Sequence, residues 1–466
     1  MKAKSVPSSW LQRDGRRLDC GPYMSGALEA KVLLEGLQAK KVPLQAVCLN
    51  GRSGLVNAGR IKRLWVTDEQ HGLRFLSSTD ILKSDLSDLQ LISKRAARAN
   101  PKLLIKSGWT LITRAGTIGR MAFARPDMDG LACSEDVLRV VPDPEKIPPG
   151  YLYAYLSSKF GVPLVVGGTY GAIIQHIEPE HIADLPVPRL GKEVEQRAHE
   201  LVTRAANART EASRLLAASD DLFVDLLSLP KPKLRTAYSS PYIASASSSE
   251  FIRRGDGYYY APLNTDARRA FDSAQATATL GDVAEVFIPG IFKRQYASDP
   301  AFGVPYITGA DVFQLAPTTD QYLLKRIASD VGLVLQKGMI VIQEAGQLGG
   351  LIGRSVLVGD HLDGFACSNN MVRVTAKNEK DTGYLFAVLA STYGVRLISR
   401  EAAGSSIPHL EVGRVRALSI PWPEEKVRAR VGRLVMDAQR LRDEAVSADR
   451  EARALVEAAI EKGATN

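Results

Sequence analysis

Along residues 194–229 the apolar positions fall at Val194, Ala198, Leu201, Ala205, Ala208, Ala212, Leu215, Leu222, Leu226 and Leu229, and Ser219 alone interrupts the series. Steps of four and three alternate, which is the a/d spacing of a coiled coil rather than the wider stripe of an ordinary surface helix. The pattern returns over residues 427–459, at Val427, Val431, Leu434, Ala438, Leu441, Ala445, Ala448, Ala452, Leu455 and Ala459. The two registers superpose without a gap, since 427 − 194 and 455 − 222 both equal 233. A seam needs a partner, and the chain carries a matching one. Residues 194–229 would span about 54 Å at ~1.5 Å per residue, a rod suited to spacing two bodies apart.

The rest of the chain repeats too. Arg17-x-Asp19-x-x-x-Tyr23 returns as Arg254-x-Asp256-x-x-x-Tyr260, and Leu44-x-x-Val47 as Leu280-x-x-Val283. Ile61-Lys62-Arg63 returns as Phe292-Lys293-Arg294, and Phe75-Leu76-Ser77-x-x-Asp80 as Tyr306-Ile307-Thr308-x-x-Asp311. Ala115-Gly116, Asp129-Gly130 with Cys133-Ser134, Tyr151-Leu152, Gly161, Gly171, His176 and Pro188 return as Ala345-Gly346, Asp363-Gly364 with Cys367-Ser368, Tyr384-Leu385, Gly394, Gly404, His409 and Pro421. Leu111-Ile112-Thr113 and residues 339–342 read as buried strands entering a glycine turn, and residues 138–141 and 371–374 as the strands that follow. Residues 151–160 and 384–393 read as short helices. Pro188, Pro421 and Pro423 stop the globular part before each long helix.

The expected fold class is therefore α/β: two repeated mixed α/β domains, 1–190 and 254–423, separated by a long antiparallel two-helix coiled coil built from 191–229 and 424–462. The Pro-, Lys- and Ser-rich segment 230–253 reads as a linker. Because the second helix starts near where the first ends, it must run back antiparallel to bury both seams.

Charge sharpens this picture. Of the net +9, segment 1–190 holds 26 basic and 18 acidic residues, 26 − 18 = +8, while 254–423 holds 16 of each. A basic excess on one domain suits a polyanion such as DNA. The four cysteines show no CxxC spacing, no apolar run is long enough to cross a membrane, and the N-terminal 30 residues lack a signal-peptide core. A cytoplasmic protein with reduced thiols is expected.

Catalytic signatures are missing. Residues 349–355 are glycine-rich but lack the lysine and spacing of a phosphate-binding loop, so they read as a tight hairpin. Residues 142–146 carry scraps of a nuclease motif crowded into one turn. No methyl-donor motif occurs. His176 and His409 are repeat-equivalent but have no further ligands at metal spacing; each caps a turn or touches phosphate. Cys133 and Cys367 read as core positions. The basic residues are the better candidates for nucleic-acid contact: Lys62, Arg63, Lys293 and Arg294 recur in both copies, and Arg114, Arg120 and Arg354 border the glycine turns. Leu201, Leu215, Leu222, Leu434, Leu441 and Leu455 are the candidate partner-binding positions on the seam and helix faces.

Taken together the chain resembles the specificity (S) subunit of type I restriction–modification systems, the HsdS family, over nearly its whole length. The marks are Leu280-Gly281-Asp282-Val283-Ala284-Glu285 with Gly290 and Lys293-Arg294, then Tyr306-Ile307 with Asp311-Val312, Gly338-Met339-Ile340 and Gly346. Cys367-Ser368-Asn369-Asn370, Tyr384-Leu385, Gly404-Ser405-Ser406-Ile407-Pro408-His409-Leu410 and Ile420-Pro421-Trp422-Pro423 continue the match. The first copy departs at Ser134-Glu135-Asp136 and at Gly171-Ala172-Ile173-Ile174-Gln175, and lacks a clean counterpart of Leu280-Gly281-Asp282. The resemblance implies two target-recognition domains, each reading one half of a bipartite double-stranded DNA site. It implies no cofactor on this chain, with S-adenosylmethionine, ATP and Mg on partner subunits: two methyltransferase (M) subunits and restriction (R) subunits. It implies no catalytic residue, no metal and no membrane. The alternatives are a specificity-like subunit of another DNA-modifying defence system, or a coiled-coil scaffold that binds protein alone.

Overall fold

The structure is a computed structural model that describes residues 4–13, 21–167, 176–230, 243, 245–404 and 406–465. Arg17, Asp19, Cys20, Gly171 to Gln175, Ser405 and most of the expected linker lie outside the described residues. Helices and mostly antiparallel sheets alternate, a mixed α/β chain. It divides into two compact units, one of Met1–Thr210 with Glu444–Asn466, the other Glu211–Asp443. The division cuts through both long helices, because part of each packs on its own globular body.

The first unit holds a four-stranded antiparallel sheet in the order Leu55–Val56, Val137–Val140, Thr110–Thr113, Met121–Phe123. The second holds its counterpart, Ala284–Phe287, Met371–Ala376, Ile340–Gln343, Ser355–Leu357. All four residues of Thr110–Thr113 are buried, as expected of a central strand covered on both faces. Beside each sheet lies a smaller one. In the first unit Trp65–Val66, Gln90–Ser93, Gly72–Leu76 and Ala132–Cys133 line up, with Phe75 opposite Ala132 in a parallel pair. In the second, Tyr322–Leu324, Gly303–Ile307 and Ala366–Cys367 do so, with Tyr306 opposite Ala366; a single bridge from Tyr296 to Leu323 replaces the Trp65 strand. A third pair ties Lys41–Pro43 to Pro186–Pro188 and Thr277–Thr279 to Ser419–Pro421.

The repeated residues hold equivalent joints. Asp80 accepts from the Ser77 amide at 2.9 Å and hydroxyl at 2.5 Å; Asp311 does the same for Thr308 at 3.0 and 2.6 Å, closing the turn after each strand. Burial works to raise the Asp80 pKa, but hydrogen bonds from Lys83 and Ser77 outweigh it and hold the group below its ordinary value. Tyr151 and Tyr384 are fully buried and donate to the carbonyls of Pro188 and Pro421, anchoring the strand before each long helix. Gly150 and Gly383 sit where a Cβ would press on His199 and Gly432 of the long helices.

The keystones are Arg139 and Arg373, both 0% exposed. Arg139 donates to the carbonyls of Ser134 (3.0 Å), Cys133 (2.5 Å) and Val137. Arg373 donates to those of Met371 (2.6 Å), Cys367 (3.2 Å) and Ser368 (3.1 Å). Burial pulls both guanidinium pKa values down. The same burial lifts the Cys133 and Cys367 thiols to about 11, in keeping with core positions.

The expected helices are adjusted at their ends. Residues 151–160 and 384–393 do not form single helices: Pro149–Leu156 and Thr382–Ala390 stop earlier, and Gly161–Gly167 and Thr392–Arg400 begin anew. At each break a serine hydroxyl, Ser158 or Ser391, accepts from the amide of Gly161 (3.1 Å) or Gly394 (3.0 Å), an N-cap that restarts the helix. A Cβ on either glycine would collide with the Tyr155 or Val388 carbonyl. The first long helix is Lys192–Leu226 and the second Glu425–Thr465. The first ends because Ser228 adopts φ 50° and the Leu229 amide reaches back to the Val224 carbonyl at 2.9 Å, a Schellman-type stop. The last six residues of the expected linker form the helix Ser248–Arg253, capped by Ser247 and Glu250.

The buried stripe on the long helices is wider than an a/d seam. Ala198, Leu201, Ala205, Ala208 and Ala212 are buried, as are Val431, Ala438, Ala445, Ala448 and Ala452. Yet Leu215, Leu222, Leu434, Leu441 and Leu455 are half-buried, while Val202, Val224, Val435, Val446 and Val456, off the a/d series, are buried. The cause is packing against the globular body as well as the other helix. Phe223, Val224, Val431 and Val435 share one core with Tyr384, Leu385 and Val388.

Candidate nucleic-acid interface

The sheet joints bring some of the candidate residues together in each unit. In the first, the strand after Lys62-Arg63 is separated from the Phe75 strand by Gln90–Ser93, across which the Trp65 and Phe75 side chains meet. The Arg63 guanidinium lies 5.4 Å from the Phe75 ring centre, and Trp65 meets the same ring edge-on at 5.3 Å. Arg63 also donates to Ser134 Oγ (3.2 Å) and Glu135 Oε2 (3.0 Å), with Asp136 3.6 Å away. Lys62 is exposed. Arg114 is largely enclosed: it donates to the Ile177 carbonyl (3.1 Å), the Glu135 carbonyl (3.4 Å) and the Glu178 carboxylate. Glu135 thus joins Arg63 to Arg114, and Ile177 brings His176 alongside. His176 is half-buried, and its Nδ1 has no partner among the described residues. Arg120 is exposed at the end of the expected hairpin, whose turn is closed by Thr113 accepting from the Arg120 amide at 3.0 Å. Gly116 and Gly119 supply the positive φ values of 74° and 79° that this turn needs.

In the second unit the geometry repeats with different chemistry. Arg294 lies 5.8 Å from the Tyr306 ring centre, with Tyr296 6.1 Å and Phe292 6.5 Å from the same ring. Burial raises the Tyr306 phenol pKa, and the Arg294 charge works against that. Lys293 and Arg294 are exposed, and Ile291 beside them is 96% exposed. Asn369 and Asn370 stand where the first unit has Glu135 and Asp136. The position of Arg114 is taken by Glu344, which is buried and bonded to His409 Nδ1 at 2.9 Å. The Gly346 amide reaches the Pro408 carbonyl at 3.2 Å, so the glycine turn and the His409 segment meet. Arg354, half-buried, lies at the far side of that turn.

The countercharges Glu135 and Glu178, and the acid Glu344, are the site residues missed in the sequence. The substitution of Glu135-Asp136 for Asn369-Asn370 was the available signal. Among the partner-binding candidates Leu201 is buried in the first unit and the other five are half-buried. Among the described residues there is no cluster of three metal-ligating side chains and no helix long and apolar enough to cross a membrane. Residues 142–146 form a turn, with Lys146 paired to Asp143 at 3.1 Å.

What this surface offers is exposed cations on aromatic shelves. An exposed pair such as Arg63–Glu135 is worth only about 0–1 kcal/mol, so a phosphate can displace the carboxylate.

No protein-family profile and no curated protein matches this chain. Among solved structures it is similar to the S subunit of a type I restriction–modification system from M. genitalium, at 13% identity and TM-score 0.39, over 92% of this chain and 96% of that one. It is similar to the HsdS subunit from Thermoanaerobacter tengcongensis at 13% identity and TM-score 0.27, over 91% and 96%. A third similar chain comes from work on complex assembly and conformational transition of the type I R-M system, at 14% identity and TM-score 0.27, over 90% and 97%. At such scores the functional reading rests on this chain's own residues.

Proposed function

We propose that this chain is the DNA sequence-recognition subunit of a type I restriction–modification complex. It contributes no catalytic group of its own. Each unit reads one half of a bipartite duplex site. The two long helices pair as an antiparallel coiled coil that sets the gap between half-sites. Methyltransferase and restriction subunits dock on it and bring S-adenosylmethionine, ATP and Mg. The observation that carries the reading is the duplicated cation on an aromatic shelf, Arg63 over Phe75 and Arg294 over Tyr306. Arg is suited both to phosphate and to bidentate contact with guanine.

Mapping adenine methylation in a host genome with and without this chain tests it. Loss of a bipartite methylation pattern on deletion supports the reading, and an unchanged pattern refutes it. The pure chain should also bind duplex DNA with a steep salt dependence. Removing Lys293 and Arg294 should lower the slope of log K against log salt by roughly 0.9 per lost phosphate contact.

A further inference from the structure

The basic excess of the first copy has a location. Between Asp88 and Asp127 the chain has no acidic residue but carries Lys94, Arg95, Arg98, Lys102, Lys106, Arg114, Arg120 and Arg125. Those eight cations equal the whole +8 of segment 1–190. The corresponding stretch of the second copy is balanced by Asp320, Asp330, Glu344 and Asp360.

Five of the eight cluster on one piece of structure. Lys94–Ala99 is a short helix that follows the strand Gln90–Ser93. The Ser93 amide donates to the Leu64 carbonyl at 2.8 Å. One backbone bond therefore joins the residue after Arg63 to the residue before Lys94, and the two basic dipeptides become neighbours. The second unit repeats the joint: the Leu324 amide donates to the Gln295 carbonyl at 3.0 Å, beside Arg294 and Lys325-Arg326. The buried alanine of each helix, Ala97 or Ala328, fixes the inward face.

Beyond this shared start the copies diverge. Arg98 corresponds to Ser329 and Ala99 to Asp330, and Lys102 to Gly332, since Leu104 and Val334 make the equivalent bridges to Ala132 and Ala366. Arg95, Arg98, Lys102 and Lys106 are all exposed, and no acidic side chain pairs with them among the described residues. Lys94 is held by the Glu69 and Gln70 carbonyls at 3.0 and 2.9 Å, which leave its charge uncancelled.

We propose that the ridge formed by Arg95, Arg98 and Lys102, continuous with Lys62-Arg63, is a phosphate-backbone clamp for duplex DNA that exists in full in the first copy alone. It rests on the reading of the chain as a DNA-recognition subunit and adds a division of labour. The first unit supplies most of the sequence-independent grip, and the second supplies little of it. Cations without carboxylate partners lose no ion pair when they meet phosphate, and each releases condensed counterions from the duplex.

The test uses the full chain carrying Arg95→Gln, Arg98→Gln and Lys102→Gln, with a duplex of arbitrary sequence titrated across a salt series. Three lost contacts should lower the slope by roughly 2.7, so the affinity lost between 50 and 200 mM salt shrinks by about 40-fold. The preference for a cognate site over a scrambled one should persist, and Arg326→Gln should lower the slope by roughly 0.9 at most. Circular dichroism confirms folding; should the triple variant fail to fold, the three single variants are read individually. An unchanged slope in a variant whose parent binds duplex overturns the clamp and spares the recognition reading. A parent with no salt-dependent binding to duplex overturns both.

Discussion

The two units share a backbone plan and differ in how their cations are balanced. In the first, Arg63 is held by Glu135, and Arg114 is tied to Glu178. In the second, Arg294 lies on its aromatic shelf with no carboxylate in ion-pair reach among the described residues, and the place of Arg114 belongs to Glu344, bonded to His409. What does not change is inside: Arg139 and Arg373, Tyr151 and Tyr384, Gly161 and Gly394 make equivalent contacts. The lesson is a scaffold whose buried polar joints are held constant while its surface is free to vary, as expected of a module that presents different chemistry from one frame.

The equivalence of the interiors is the first thing to break. Replacing Arg139 or Arg373 with Met leaves several buried carbonyls without donors, each costing about 1–3 kcal/mol. Each substitution should destabilise its own unit by about 3 kcal/mol or more, read as a shifted transition in denaturant. A large loss in one unit and less than about 1 kcal/mol in the other would show that the two arginines are not equivalent keystones.

A second contrast is in pH. In the second unit Asp220 is enclosed with one carboxylate oxygen unpartnered, and burial, with Asp221 nearby, lifts its pKa from 3.8 to about 6. Its folded value exceeds its unfolded one, so stability is lost as pH rises through about 6. In the first unit His199 accepts from the Gly150 amide at 3.0 Å, and burial lowers its pKa below 6.5. Here the unfolded chain binds the proton first, and stability is lost as pH falls below about 6.5. Asp220→Asn should therefore stabilise the second unit at pH 7 by about 1–2 kcal/mol, and His199→Ala should flatten the acid-side decline of the first. Thermal melts between pH 5 and 8 check both; parallel shifts in the two units would contradict these assignments.

The smallest effect concerns the surface. Glu135→Asn with Asp136→Asn gives the first unit the residues of the second and releases Arg63. Duplex binding at low salt should tighten by a few fold, since an exposed ion pair is worth about 0–1 kcal/mol. Looser binding would mean that Glu135 positions Arg63 rather than neutralising it.

The sequence by itself determined the duplication, the buried strands, the glycine hairpins and the two long helices. These are encoded locally, in apolar period, turn residues and caps, and repeat at fixed offsets. Tertiary structure decided what period cannot carry. Leu434 and Leu455 fall on the expected a/d positions yet are half-buried, whereas Val435 and Val456 are enclosed, because the globular bodies cover a second face of the helices. Likewise Lys62-Arg63 and Lys293-Arg294 read as equal pairs. Only the fold sets Glu135, 72 residues away in sequence, against Arg63, since a charge is cancelled by what lies within a few ångströms and not by what is near along the chain.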